Sequence, residues 1–151
     1  EAPGWTEPGF DDSSWAMGSA ELGYGDGDEA TVVSYGPNPS DKYITTWFRS
    51  SFEALDAPET VTLDLLVDDG AIVYLNGVEL LRDNVGPGPD SATLLAASGR
   101  SGNAEFASNS FAVPPELIQI GTNHLAVSVH QDHRTSSDVS FDLALRSTAQ
   151  T

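Results

Sequence analysis

The 151-residue chain contains no cysteine, and it has only six basic side chains, one of them a lysine, against 23 acidic ones. The absence of cysteine excludes disulfide frameworks, zinc–cysteine sites, thiol nucleophiles and iron–sulfur clusters. Because the formal net charge of −17 repels polyanions, no nucleic-acid partner is expected. The longest apolar runs, such as residues 71–75, are far shorter than the roughly 20 residues of a membrane-spanning helix, so no membrane span is expected.

Helical periodicity is also missing, and 14 glycines and 9 prolines interrupt the chain. Apolar residues instead alternate with polar ones, which is typical of strands that bury one face. The alternation predicts strands over residues 45–54, 61–67, 71–75, 78–82, 106–113, 124–130 and 138–145, and residues 114–118 suit a single helical turn.

The connections between these segments indicate the architecture. Asn76-Gly77 between two apolar runs predicts a hairpin with a type I′ turn, and the strands over 124–130 and 138–145 are expected to be antiparallel neighbours. Many short strands with almost no helix favour an all-β fold, a β-sandwich or jelly roll, formed by one domain over residues 1–151. Two long connections, near residues 23–42 and 83–102, are where binding is expected first.

A family resemblance extends along nearly the whole chain. Its segments are 10–15 (FDDSSW), 22–28 (LGYGDGD), 45–49 (TTWFR), 68–79 (DDGAIVYLNGVE), 121–127 (GTNHLAV), 129–131 (VHQ) and 136–138 (SSD). In order and spacing these resemble the galactose-binding-like jelly-roll domains that are appended to secreted bacterial enzymes and surface proteins. The resemblance implies a non-catalytic β-sandwich of the class that includes many carbohydrate-binding modules, often with a structural calcium ion. It also implies a secreted or cell-surface location, and we expect the chain to be a piece of a longer protein with a catalytic domain.

Two acidic segments are candidates for metal sites. Asp26, Asp28 and Glu29 place three carboxylates on one short loop, a donor set that suits Ca²⁺, although an acidic cluster that simply faces water is the alternative. The segment 68–70 (DDG) lies between two predicted strands, which favours a tight connection in which aspartate accepts backbone hydrogen bonds. We therefore predict calcium at the first segment and a structural turn at the second.

His130 and Asp138 would face each other if residues 131–137 formed a hairpin loop between neighbouring strands. The pair could stabilise that hairpin, or it could bind sugar hydroxyls. A Ser-His-Asp triad with Ser136 or Ser137 is the third reading, but no Gly-x-Ser-x-Gly elbow accompanies it. Zinc at His130 and His133 is not expected, because side chains three apart on a strand end point in different directions.

A sugar site needs aromatic faces for the apolar side of a pyranose and polar groups for its hydroxyls. Tyr35 and Tyr43 flank a Gly/Pro-rich segment and are the best candidates for platforms, while Arg82, Asn84 and Arg100 are candidate hydroxyl partners. The other aromatics in or near predicted loops are Trp5, Trp15, Tyr24 and Trp47.

Motifs of catalysis are lacking, since the sequence has no phosphate-binding loop, nucleotide fingerprint or His-Glu-x-x-His helix. This lack gives no indication of an enzyme, and the resemblance implies a carbohydrate-binding module whose partners are polysaccharides or oligosaccharides. The alternative is a structural or protein-docking spacer domain without a sugar ligand.

Overall fold

The computed structural model of the protein describes residues 2–149, which are almost entirely β-structure apart from 3-10 turns at Gly102–Ala104 and Pro115–Leu117. The strands of this part of the chain are β1 (Leu22–Tyr24), β2 (Thr31–Val32), β3 (Thr45–Ala54), β4 (Pro58–Asp68), β5 (Gly70–Leu75), β6 (Val78–Asp83), β7 (Ser108–Val113), β8 (Gly121–His130) and β9 (Val139–Ala149). None of the helices among these residues has the length and apolar character needed to cross a membrane.

The strands form two sheets that enclose one core. Five strands pair in the order β2-β1-β9-β4-β7, and four pair in the order β3-β8-β5-β6. All neighbours are antiparallel except β1 and β2, which run parallel. The predicted all-β sandwich is therefore confirmed.

The core consists of the inward-facing residues of both sheets. Alternate residues of β4 are buried, as the sequence pattern predicts, and they meet residues of β5 and β8. Phe48 of β3 and Phe141 of β9 stack across the two sheets with their ring centroids 4.6 Å apart. Further members of the core are Val61, Leu63, Leu65, Val67, Val73, Val127 and Val129.

The predicted hairpin is confirmed between β5 and β6. Asn76 and Gly77 form its turn with φ values of 52° and 85°, the left-handed conformation that Asn and Gly adopt most readily. A hydrogen bond from β8 also stabilises the turn, because the backbone N–H of His124 donates to the Asn76 side-chain oxygen at 2.9 Å.

The expected pairing of the two C-terminal strands is wrong. β8 lies between β3 and β5 in the four-stranded sheet, whereas β9 lies between β1 and β4 in the other. Residues 131–138 therefore cross from one sheet to the other instead of turning back as a hairpin. Alternation identifies the buried face of a strand but not its partner, which is why the sequence pattern did not reveal this.

The chain also crosses from one sheet to the other between β4 and β5, where Asp69 alone separates the two strands.

The long segment between β6 and β7 contains an isolated bridge between Val85 and Ala96. β7 begins at Ser108 rather than at Phe106, and the predicted helical turn is present at Pro115–Leu117. The loops near Asp69 meet at one end of the sandwich, which is called the loop end below.

Candidate functional site

His130, at the end of β8, is completely buried and is not presented to a ligand. Its Nδ1 lies 2.7 Å from the carbonyl oxygen of Leu94, while its Nε2 lies 2.9 Å from the Ser128 hydroxyl and 3.3 Å from an Asp90 oxygen. The loop that carries Asp90 and Leu94 therefore covers the histidine. Its expected pairing with Asp138 is wrong, because Asp138 directly precedes β9 in the opposite sheet.

The Ser-His-Asp arrangement is not assembled either. The Ser137 hydroxyl donates to an Asp138 oxygen at 2.5 Å, and the hydrogen bonds of His130 within residues 2–149 involve neither Ser136 nor Ser137. The histidine therefore belongs to an internal polar network.

Asp90 is the carboxylate of that network. One of its oxygens accepts hydrogen bonds from the Tyr74 hydroxyl at 3.0 Å and the Ser128 hydroxyl at 2.7 Å. Burial raises the pKa of this carboxyl group, but the contacts with His130, Ser128 and Tyr74 outweigh it, and the pKa lies below its ordinary value. Asp90 thus fixes the covering loop to the outer face of β5 and β8.

Arg82, predicted to bind hydroxyls, is used within its own hairpin and loop. Its guanidinium donates to both carboxylate oxygens of Glu79, at 2.7 and 3.0 Å, and to the carbonyl oxygens of Gly86 and Gly88. These contacts organise the start of the long segment between β6 and β7.

Asn84 and Arg100 have similar roles. The Asn84 amide donates to the carbonyl oxygens of Asp69 and Ser98, at 3.0 and 2.6 Å. The Arg100 guanidinium donates to the Val67 carbonyl at 2.7 Å and pairs with Asp83 at 2.8 Å. Both side chains therefore attach the second long loop to the corner between β4 and β5.

Tyr35 and Tyr43 form an exposed aromatic pair, with 40% and 54% of their surfaces accessible. The two residues are joined by a hydrogen bond from the Tyr43 backbone N–H to the Tyr35 carbonyl at 3.0 Å. Tyr35 packs edge-on against Tyr24 at 5.5 Å, and the ring of Tyr43 lies against Gly36. Trp5 and Tyr24, by contrast, are buried, so they do not form a surface for stacking.

Lys42 fixes this aromatic pair to the loop end. Its ammonium group donates to the carbonyl oxygens of Ser136 and Ser137, at 2.5 and 3.2 Å, and lies over the rings of Tyr24 and Tyr35. The Lys42 backbone N–H also donates to the carbonyl of Arg134. The tyrosines are therefore attached to the loop that crosses between the sheets.

That crossing loop forms one wall of a polar depression of about 300 Å³. Asp138 is among its lining residues, so this predicted residue lies on the crossing loop to which Lys42 attaches the Tyr35–Tyr43 segment. The other lining residues are Asp69, Gly99, Arg100, Ser101, Glu105, Asp132, His133, Thr135, Ser136 and Ser137.

Beneath the depression, where β4 passes into β5, the carboxylates of Asp68 and Asp69 are both buried but have different hydrogen-bond partners. Asp69 accepts the backbone N–H groups of Arg100 at 2.6 Å and Asp132 at 2.8 Å, so the predicted structural role of this segment is confirmed for Asp69. Asp68 is only 2% exposed, and its Oδ1 has no hydrogen-bond partner. Burial, followed by the hydrogen bond and charge of Asp69, raises the pKa of Asp68 to about 8.

The acidic loop after β1 is present as predicted. Carboxylate oxygens of Asp26, Asp28 and Glu29 all lie within 4.8 Å of one another. Glu29 accepts the backbone N–H groups of Asp26 and Gly27, and Asp26 accepts the hydroxyl of Ser140 at 2.9 Å. Burial and the neighbouring carboxylates raise the pKa of Asp26. The cluster has the oxygen donors of a possible metal site; which ion it takes is a prediction.

The sequence analysis did not identify Glu105, and it did not distinguish the surroundings of Asp68 from those of Asp69. Ligand oxygens of Asp68, Glu105 and Asp138 lie within 4.8 Å of one another, although the three residues come from β4, the loop before β7 and the loop before β9. No local motif joins them, because only the crossing of the chain between the sheets brings them together.

Comparison with known proteins supports the fold. No protein-family model matches the chain, and neither does any curated protein. Among solved structures, Bacteroides uniformis beta-glucuronidase 2 matches 99% of this chain with a TM-score of 0.62 and 17% identity, and 16% of that structure is covered.

Two further solved structures match in the same way. A beta-glucuronidase from glycoside hydrolase family 2 matches 86% of the chain with a TM-score of 0.54 and 22% identity, and 12% of it is covered. Streptomyces avermitilis alpha-L-rhamnosidase matches 76% with a TM-score of 0.50 and 20% identity, and 10% of it is covered. The chain therefore corresponds to a small part of these carbohydrate-active enzymes, as a β-sandwich domain similar to one of theirs.

Proposed function

We propose that the protein is a non-catalytic accessory domain that binds a polysaccharide or oligosaccharide beside the catalytic domain of a secreted bacterial protein. In this proposal the domain is galactose-binding-like and acts by holding its parent protein on the carbohydrate. The contact surface is the Tyr35–Tyr43 pair together with the polar rim near Asp138.

The exposed tyrosine pair is the observation that carries the proposal. Exposed aromatic rings on an anchored segment can accept the apolar face of a sugar without the entropic cost of ordering a free loop. Lys42 and the Tyr24 ring hold Tyr35 in place, while the depression beside Asp138 offers carboxylates and hydroxyls to sugar hydroxyl groups.

The neighbouring structures support the same class of function. Their names describe glucuronidases and a rhamnosidase, which are enzymes that act on carbohydrates, and each match covers a small part of the enzyme. Because a fold can serve many functions, this support is by analogy.

Calcium belongs to the proposal as a structural ion at Asp26, Asp28 and Glu29. Bound there, it would supply positive charge to a loop that adjoins Ser140 of β9. Removal of the calcium ion should make this loop more mobile and thereby weaken sugar binding.

A second candidate function is docking of a protein neighbour, which is favoured by a groove at the other end of the sandwich. This groove has a volume of about 500 Å³ and is lined by apolar residues that include Phe52, Leu55, Leu143 and Leu145. Leu55 is 91% exposed at its edge. An exposed apolar groove of this kind suits a protein surface better than a sugar.

The test is a binding panel of polysaccharides and oligosaccharides, measured with calcium and again with a chelator. We expect selective binding by the unaltered protein and at least a tenfold loss in the double variant Tyr35→Ala/Tyr43→Ala, since a stacked aromatic contributes on the order of 1.5 kcal/mol. Leu55→Ser is the matched control, because it removes an exposed apolar side chain at the opposite end and should leave binding unchanged.

A panel without any binding from folded protein would contradict the sugar-binding proposal and favour the docking role. Loss of a protein contact in Leu55→Ser, with the tyrosine variant unaffected, would support that alternative directly.

A further inference from the structure

We propose that Asp68, Glu105 and Asp138 bind a divalent cation of the calcium class beneath the loop-end depression. This cluster shares no residue with the acidic loop at residues 26–29, although Gly25, next to that loop, packs against Asp138. The inference does not depend on sugar binding.

Three distant segments contribute one carboxylate each to this second cluster. Asp68 ends β4, Glu105 follows the 3-10 turn Gly102–Ala104, and Asp138 precedes β9. One oxygen atom of each lies within 4.8 Å of the others, a spacing that allows all three to contact a single ion.

The independent observation that points to a ligand is the state of Asp68. Its Oδ1 is buried without a hydrogen-bond partner, whereas both oxygens of the adjacent Asp69 accept backbone N–H groups. An ionised carboxylate in such a place is strongly unfavourable unless it is paired or coordinates a metal. Asp68 therefore has the unmet coordination that a cation would satisfy.

The protein's own cations do not satisfy this cluster. Arg100 pairs with Asp83 and donates to the Val67 carbonyl, while Lys42 donates to two carbonyl oxygens of the crossing loop. Within residues 2–149, none of the three carboxylates forms a salt bridge with a lysine, arginine or histidine. The negative charge is therefore left for an external ion.

The three carboxylates indicate which class of ion the cluster would bind. Carboxylate oxygens with no thiolate favour a hard cation, and calcium accepts six to eight oxygens in an irregular arrangement. The adjoining depression of about 300 Å³ has room for water molecules that would complete the coordination. Magnesium requires a stricter octahedron, so we expect it to bind more weakly.

The experiment is thermal unfolding of the full chain in a chelator, in excess calcium and in excess magnesium. Calcium at about 100 times its Kd should raise Tm by roughly 5–10 °C through mass action, with a smaller rise in magnesium. Glu105→Gln and Asp138→Asn should remove the part of this rise that the Asp68 cluster contributes and leave only what calcium at residues 26–29 contributes. Asp28→Asn, a matched change in the other acidic loop, should keep the part that the Asp68 cluster contributes. Calorimetric titration should count one calcium fewer in the first two variants.

Several outcomes would overturn the inference. A Tm that does not respond to calcium would mean that a proton, rather than a metal, neutralises Asp68. A calcium response lost in Asp28→Asn but kept in Glu105→Gln and Asp138→Asn would assign the ion to the loop at residues 26–29. Glu105 and Asp138 are partly exposed, so their variants provide the test even if Asp68→Asn fails to fold.

Discussion

At the scale of single residues, His130 shows why a correct strand prediction can still misplace a side chain. Ser128 and His130 alternate with the core residues Val127 and Val129, so the pattern assigns them to the outer face of the sheet. They do lie on that face, but the loop containing Asp90 covers it and buries both side chains. The covering loop lies far away in the sequence and carries no periodic signal.

Replacing Asp90 tests the importance of this buried network. Asp90→Asn should lower the free energy of unfolding by about 1–3 kcal/mol at neutral pH, because an amide cannot accept all of the hydrogen bonds that the carboxylate accepts. The measurement is urea unfolding monitored by fluorescence. The exposed Asp56→Asn is the control and should change stability little.

The same variant should change the acid dependence of stability. Because the pKa of Asp90 is lowered in the folded protein, its contribution is present above the ordinary pKa of 3.8 and disappears as the pH falls through the folded value. Asp90→Asn should therefore lose less stability than the unaltered protein between pH 5 and strongly acidic conditions. Parallel pH profiles for the two proteins would contradict this assignment.

At the scale of elements, local patterns predicted most of the strands, including β3, β4, β8 and β9 and the hairpin of β5 and β6. They missed β1 and β2, which are too short to show alternation. They also gave no information on which sheet each strand joins, since β8 and β9 have the same polar-apolar pattern but belong to opposite sheets. The candidate metal cluster at Asp68 was missed for the same reason, because it depends on that crossing.

The turn between β5 and β6 offers an element-level prediction. Gly77→Ala should destabilise the protein by about 1–2 kcal/mol, because φ at this position is 85° and an L side chain is strained there. Gly86→Ala is the matched control, since its backbone is not left-handed and an added Cβ meets no atom within 4 Å. Chemical denaturation of both variants provides the comparison, and equal stabilities would show that the turn tolerates a side chain.

At the scale of the whole molecule, the charge of −17 is the dominant property. Many like charges on one small domain repel each other, and dissolved salt screens this repulsion over about 10 Å or less at 0.1 M and above. We expect Tm to rise by several degrees between low and molar sodium chloride in the presence of a chelator. Potassium chloride at equal ionic strength should give the same rise, and a flat response would contradict the screening argument.

The position of β9 has a consequence for synthesis of the protein. β9 is the last strand of the sandwich, yet it lies at the centre of the five-stranded sheet, between β1 and β4. During translation the earlier strands therefore leave the ribosome without the partner that joins them, and their edges stay open for pairing with other chains. A nascent chain stalled before β9 should be sensitive to protease, and release of that strand should complete folding.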